Sequence, residues 1–108
     1  MKTTIQSSNG TSFHNVTVIA SINELLQLLG EPEYTTSDID EKVQYDWKME
    51  TESGSVFTVY DWKEYRKLIK TEDIEWHIGA RDFSSSMDGG HELQAALDKL
   101  RAGELINK

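Results

Sequence analysis

Residues 43–50, VQYDWKME, alternate without a break: Val43, Tyr45, Trp47 and Met49 fall on one side, Gln44, Asp46, Lys48 and Glu50 on the other. A period of two places successive side chains on opposite faces of an extended strand, here one apolar face and one wet face. The next four residues, ESGS (52–55), make a short turn in which Gly54 is free to take positive φ, and VFTVYDW (56–62) runs back. Two strands joined this closely predict an antiparallel hairpin. A lone hairpin is marginal in water, so the rest of the chain must cover its apolar side.

The flanking segments supply that cover. FHNVTVIA (13–20) alternates, with Val16, Val18 and Ala20 on one side and Phe13, Thr17 and Ile19 on the other, and reads as a strand. SINE (21–24) is a capping box: the Ser21 hydroxyl accepts from the Glu24 N–H and the Glu24 carboxylate returns to the Ser21 N–H. Ile22, Leu25, Leu26 and Leu29 then follow at helical spacing, and Gly30 with Pro32 ends the helix. Residues 35–41, TTSDIDE, are a polar loop, and IEWHIGA (74–80) is a further alternating strand. A closing helix starting between Ser85 and His91 carries Leu93, Ala96, Leu97 and Leu100, with Gly103 as its stop. The expected fold is α+β: strand, helix, three-stranded antiparallel meander, helix, with both helices packed on one face of the sheet. Residues 1–108 read as a single domain, because no repeat, linker or low-complexity tract divides them.

Composition narrows the function classes. The chain has no cysteine, which removes disulfides, thiolate chemistry and cysteine-based metal sites and fits a reducing compartment. No run of about 18 apolar residues occurs, and MKTTIQSSNGTSF lacks the apolar core of a signal peptide, so neither membrane insertion nor secretion is expected and the cytoplasm is the expected location. Nineteen acidic against eleven basic residues give a net charge of −8. A field of that sign repels phosphate backbones at long range, so general nucleic-acid binding is not expected, whereas a basic protein partner suits it.

Against that background, Lys63, Arg66, Lys67 and Lys70 crowd into positions 63–70, just after Tyr60 and Trp62 and around Tyr65. Cations interleaved with flat rings can hold a nucleotide, the rings stacking on the base and the cations pairing with phosphate. The plain alternative is local charge balance with Asp61, Glu64, Glu72 and Asp73. A second candidate is EWHIGARDFSSSMD (75–88), where Glu75, His77 and Arg81 share a strand face and Gly79 permits close approach to the backbone. That strand leads through Ser84, Ser85 and Ser86 toward a helix N-terminus, which favours anions; the alternative makes the serines caps and Gly89–Gly90 a loose turn. Catalysis is not expected, since no G-x-S-x-G or other catalytic signature accompanies the serines. Metal binding is not expected either, because His14, His77 and His91 lie on three distant segments, and no cofactor is implied. The third tryptophan, Trp62, belongs either to the core with Trp47 and Trp76 or, if it faces away with Tyr60 beside it, to an exposed ligand surface.

The segments VFTVYDWKEYR (56–66) and IEWHIGA (74–80), with GTSFHNVTV and LLGEPEY upstream, resemble a group of small proteins encoded by tailed phages and prophages of gut bacteria. The order of helix, LGEP and meander also resembles, in topology, the α+β units of beta-lactamase-inhibitor and outer-membrane lipoprotein assembly proteins. The phage resemblance implies a non-enzymatic anti-defence protein in the host cytoplasm. In its first form it sequesters a small anionic nucleotide immune signal, possible as a homo-oligomer, with Tyr60, Trp62, Tyr65, Arg66, Lys67, His77, Arg81 and Ser84 as ligand-binding residues. In its second form it is an acidic inhibitor of a host defence or nucleic-acid-binding protein, presenting Glu31, Glu33, Asp38, Asp40 and Glu41.

Overall fold

Which residues turn inward decides the layers. The computed structural model describes residues 1–103. Its strands are β1 (Lys2–Thr3), β2 (Ser12–Ala20), β3 (Tyr34–Thr35), β4 (Tyr45–Glu50), β5 (Val56–Tyr60) and β6 (Ile74–Ala80), and its helices are α1 (Ile22–Leu29) and α2 (Phe83–Arg101). The strands form one antiparallel sheet in the order β1-β4-β5-β6-β2, with β3 pairing on the same side of β4 as β1. The expected α+β class and the β4-β5-β6 meander are therefore present, and α2 packs on the sheet. The two-residue strands β1 and β3 are additions, too short to leave an alternation in the sequence.

One face of the sheet carries Val18, Ala20, Trp47, Met49, Phe57, Val59, Trp76 and Ile78, all buried, and α1 and α2 add Ile22, Leu25, Leu29, Leu93 and Leu97 to the same core. Trp47 and Trp76 meet edge to face, centroids 5.6 Å apart and planes at 77°, a geometry worth about 1 kcal/mol beyond the area it buries. Neither indole is left unsatisfied: Trp47 Nε1 donates to the Gly30 carbonyl at 2.8 Å and Trp76 Nε1 to the Ala20 carbonyl at 2.9 Å. The capping box forms as expected, with Glu24 N donating to Ser21 Oγ at 3.2 Å and Ser21 N to Glu24 Oε1 at 2.9 Å. Arg101, at the end of α2, donates to Glu24 Oε2 at 2.8 Å and so ties the two helices together.

Three expectations shift in register. Helix α2 begins at Phe83, earlier than residues 85–91, because the Asp82 carboxylate accepts from Ser85 N at 2.8 Å and caps it. Gly89 and Gly90, a loose turn in the plain alternative reading of residues 75–88, lie inside that helix. A Cβ at Gly89 would stand 2.5 Å from the Phe57 ring and one at Gly90 2.8 Å from Val16 Cγ1, so the glycines let helix and sheet approach. This packing offsets their low helix propensity of roughly 1 kcal/mol each. Finally, β4 starts at Tyr45, so Val43 does not join Tyr45, Trp47 and Met49 on the core face. The buried Asp61 carboxylate takes the N–H groups of Gln44 (2.9 Å) and Tyr45 (2.8 Å) in place of a ladder partner, and the strand ends there.

Candidate functional site

Among the described residues no helix lies over the centre of the opposite face of the sheet, which is built in two cross-strand rows. Pairing places Thr17, His77, Tyr60, Asp46 and Tyr34 in one row, from β2 through β6, β5 and β4 to β3. The adjoining row runs Phe13, Gly79, Thr58, Lys48. A register shift in β2 between Phe13 and Thr17, with Asn15 at φ 65°, holds Phe13 beside the first row. Its ring stacks on the His77 imidazole with centroids 4.0 Å apart and planes 15° from parallel.

From the other side of β6 come Tyr60, edge-on to His77 at 5.5 Å, and Trp62, within 28° of parallel to it at 6.2 Å. Trp62 and Phe13 remain 40% and 38% exposed. Four rings thus gather on a face that needs none of them for the core. Trp62 continues the alternation of Thr58 and Tyr60 past the end of β5, and the chain then turns with Lys63 and Tyr65 both in the left-handed region, φ 54° and 51°, a conformation that side chains other than glycine take only at a cost. Lys63 Nζ lies 5.5 Å from the Trp62 ring centroid.

Beside the rings is a cavity of about 240 Å³ bounded by Ser8, Thr11, Asp46, Thr58, Tyr60 and Trp62, with Val43 at its rim. Because β1 and β2 lie at opposite edges of the sheet, the chain between them crosses this face, and Ser8 and Thr11 of that crossing form one wall. Gly79 forms the floor: a Cβ there would be 2.6 Å from Thr58 Oγ1 and 3.3 Å from the Tyr60 ring.

Asp46 is the one carboxylate among the residues that line the cavity. Its Oδ1 is buried and has no hydrogen-bond partner among the described residues. Burial, then the charges of Glu33 and Asp61, push its pKa up to about 6, with Lys48 pulling weakly the other way. Burial and Asp46 together raise the Tyr60 phenol, and burial lowers the His77 imidazole, which therefore favours its neutral form.

The residues expected to bind a ligand part company. Tyr60, Trp62 and His77 come together. Tyr65 is exposed in the connector. Arg66 is engaged locally, Nη1 to Glu72 at 2.6 Å and Nη2 to Glu64 at 3.2 Å, the charge-balance arrangement. Lys67 borders a different, larger depression of about 840 Å³ with Lys70, Thr36 and Tyr45. Tyr45 and Asp46 point to opposite faces of β4, so this hollow and the ring cluster lie on opposite sides. Arg81 clamps the crossing segment, Nε to the Asn9 carbonyl at 3.2 Å and Nη2 to that of Ser7 at 2.8 Å. Ser84 is exposed in the first turn of α2, whose N-terminus is taken by the Asp82 carboxylate in place of an external anion, while Ser86 Oγ donates to the Ile78 carbonyl. In the acidic loop Glu33 pairs with Lys48 at 3.3 Å and Asp38 accepts from Asp40 N at 2.9 Å.

Sequence reasoning missed Phe13, Asp46 and Thr58. Alternation placed Asp46 on the wet face, but nothing in it gave the cross-strand register that sets Asp46 beside Tyr60. Among the described residues no helix is long and apolar enough to cross a membrane, and no three metal-ligating side chains converge. No protein-family model, curated protein or solved structure matches the chain.

Proposed function

We propose that the protein is a non-enzymatic binding module that sequesters a small nucleotide-type ligand on the helix-free face of its sheet. The observation that carries this reading is the His77 cluster: Phe13, Tyr60 and Trp62 gather around one neutral imidazole, two of them more than a third exposed. Stacking on exposed rings is worth about 1–3 kcal/mol per base and is tolerant of base identity. Lys63, with Nζ 5.5 Å from the Trp62 ring centroid, is placed to meet a phosphate, whereas Arg66 is held by Glu64 and Glu72 and Arg81 by the Ser7 and Asn9 carbonyls. The setting in this reading is a phage protein that removes a nucleotide immune signal from the host cytoplasm, and it draws on the resemblance of residues 56–66 and 74–80.

Native mass spectrometry of the chain, before and after incubation with cyclic nucleotides and ADP-ribose derivatives, tests the proposal and also gives the oligomeric state. A retained mass, released unchanged on denaturation, lost in Trp62→Ala and kept in Arg66→Ala, supports it. Bare protein across the panel, or binding indifferent to Trp62→Ala, overturns it; turnover of the ligand would replace sequestration with catalysis.

A further inference from the structure

We infer that the flank formed by β2 and α2 is an interface between two copies of this chain, in which the two α2 helices pack antiparallel across a two-fold axis. This dimer is separate from the ring cluster. Val16 and Val18 lie on the α2 side of β2, and Thr17, in the row of His77, lies on the other, so the assembly leaves the open face free.

The fold puts this flank at the border of the molecule. β2 is the last strand of the sheet, and α2 packs mainly over it rather than over the sheet centre. Between them runs a groove of about 400 Å³, walled by Val16 and Val18 of β2 and by Phe83, Met87, His91 and Gln94 of α2. Spacings of 4, 8 and 11 keep these four on one side of the helix, with Phe83 at one end of the stripe and Gln94 at the other. Phe83 is 58% exposed. An aromatic ring that the core does not use, set beside an apolar groove, is the kind of surface an interface buries.

Charge, shape and size point to a second copy as the occupant. No Asp, Glu, Lys or Arg lines the groove or occurs in β2, although the chain carries a net charge of −8. Two such copies repel each other wherever acidic surfaces meet, and along this flank they touch without bringing carboxylates together. Asp98, which accepts from the Gln94 amide at 3.0 Å, stands outside the groove.

The stripe also complements itself. An axis midway between Met87 and Gly90 sets Phe83 opposite the partner's Gln94 and Met87 opposite the partner's Gly90, and each pairing occurs twice. Gly90 adds no bulk there, so the longer Met87 side chain has room. The nine residues of β2 extend about 30 Å, and with the helix beside them the flank approaches the roughly 800 Å² per partner of a standard stable interface.

The contact runs through side chains and not through an extended ladder. β2 is bulged, with Asn15 at φ 65°, and the Ile19 carbonyl already accepts from Arg101 Nη2 at 2.9 Å. Both features blunt a strand edge against backbone pairing.

The test is size-exclusion chromatography with light scattering on the full chain, from about 1 to about 200 μM, for wild type, Phe83→Glu, and Phe83→Glu combined with Gln94→Lys. Wild type should pass from the chain mass to twice that mass. Phe83→Glu should weaken dimerisation at least about tenfold, while circular dichroism and unfolding of the monomer stay as in wild type because Phe83 is exposed. Adding Gln94→Lys should restore the dimer, since the two new charges lie about 17 Å apart along one helix and meet only across the axis. A monomer throughout the range would overturn the inference and leave the flank to a different protein. A dimer indifferent to Phe83→Glu would overturn it by placing the interface elsewhere. A dimer lost in Phe83→Glu and not restored by Gln94→Lys would overturn the antiparallel pairing that defines it.

Discussion

The two faces of the sheet use the same kinds of residue to opposite ends. On the covered face Trp47 and Trp76 are buried, interlocked, and each indole N–H has a carbonyl to donate to. On the open face Phe13, Tyr60 and Trp62 surround His77 while two of the three rings stay more than a third exposed, and the neighbouring Asp46 Oδ1 has no donor among the described residues. The covered face is satisfied within the chain. The open face leaves aromatic surface exposed that the fold does not use for its core, and this contrast is what the proposed function rests on.

The contrast breaks if mutations on the two faces behave alike. The largest expected effect is on the covered face: Trp76→Ala should cost about 3–5 kcal/mol in denaturant unfolding and leave the domain barely folded. Gly89→Ala, which drives a methyl into the Phe57 ring, should cost about 1–3 kcal/mol in the same experiment, against the usual gain of replacing glycine in a helix.

Asp46→Asn should move stability the other way. Its folded pKa is raised to about 6 from an unfolded value near 3.9, so the stability linked to it is fully present below about pH 4 and is lost as pH rises through 6. At pH 7.5 the asparagine variant should be more stable by about 1–2 kcal/mol and should lack the wild type's gain between pH 7 and pH 5. A loss of stability at pH 7.5 would mean that the carboxylate holds the fold together.

Trp62→Ala should alter stability by less than about 1 kcal/mol while weakening ligand binding at least tenfold, a separation that Trp76→Ala cannot show. The smallest effect belongs to the helix tie. Arg101, foremost, and the Ser21 cap hold the Glu24 carboxyl down at about 2, so its contribution is present above about pH 4.5 and disappears as pH falls toward 2. Because Arg101 is 40% exposed, Arg101→Ala should cost no more than about 1 kcal/mol at neutral pH.

Much of this was legible before any coordinates. The capping box, the helical stripe of α1 and the ESGS hairpin are local devices, readable because their partners lie a few residues apart. The wet face of β4, with Asp46, and the possibility that Trp62 turns away from the core follow from period-two alternation alone. What was hidden depends on long-range pairing: Phe13 meets His77 only through a register shift in β2, and Asp46 meets Tyr60 only once β4 and β5 are aligned. The basic connector misled for a related reason. Its cations read as a cluster along the chain, but Arg66 turns to Glu64 and Glu72, and Lys67 opens onto a hollow on the other side of the sheet.

The most direct test uses the three indoles, two beneath the helices and one on the open face. In ¹H–¹⁵N spectra of the full chain titrated with cyclic nucleotides and ADP-ribose derivatives, the Trp62 indole signal should shift progressively with a ligand that is retained while those of Trp47 and Trp76 stay in place, with backbone shifts confined to the rows around Tyr60 and His77. Shifts centred on Lys67 and Lys70, or an unchanged Trp62 signal at saturating nucleotide, would contradict the assignment of the open face as the binding surface.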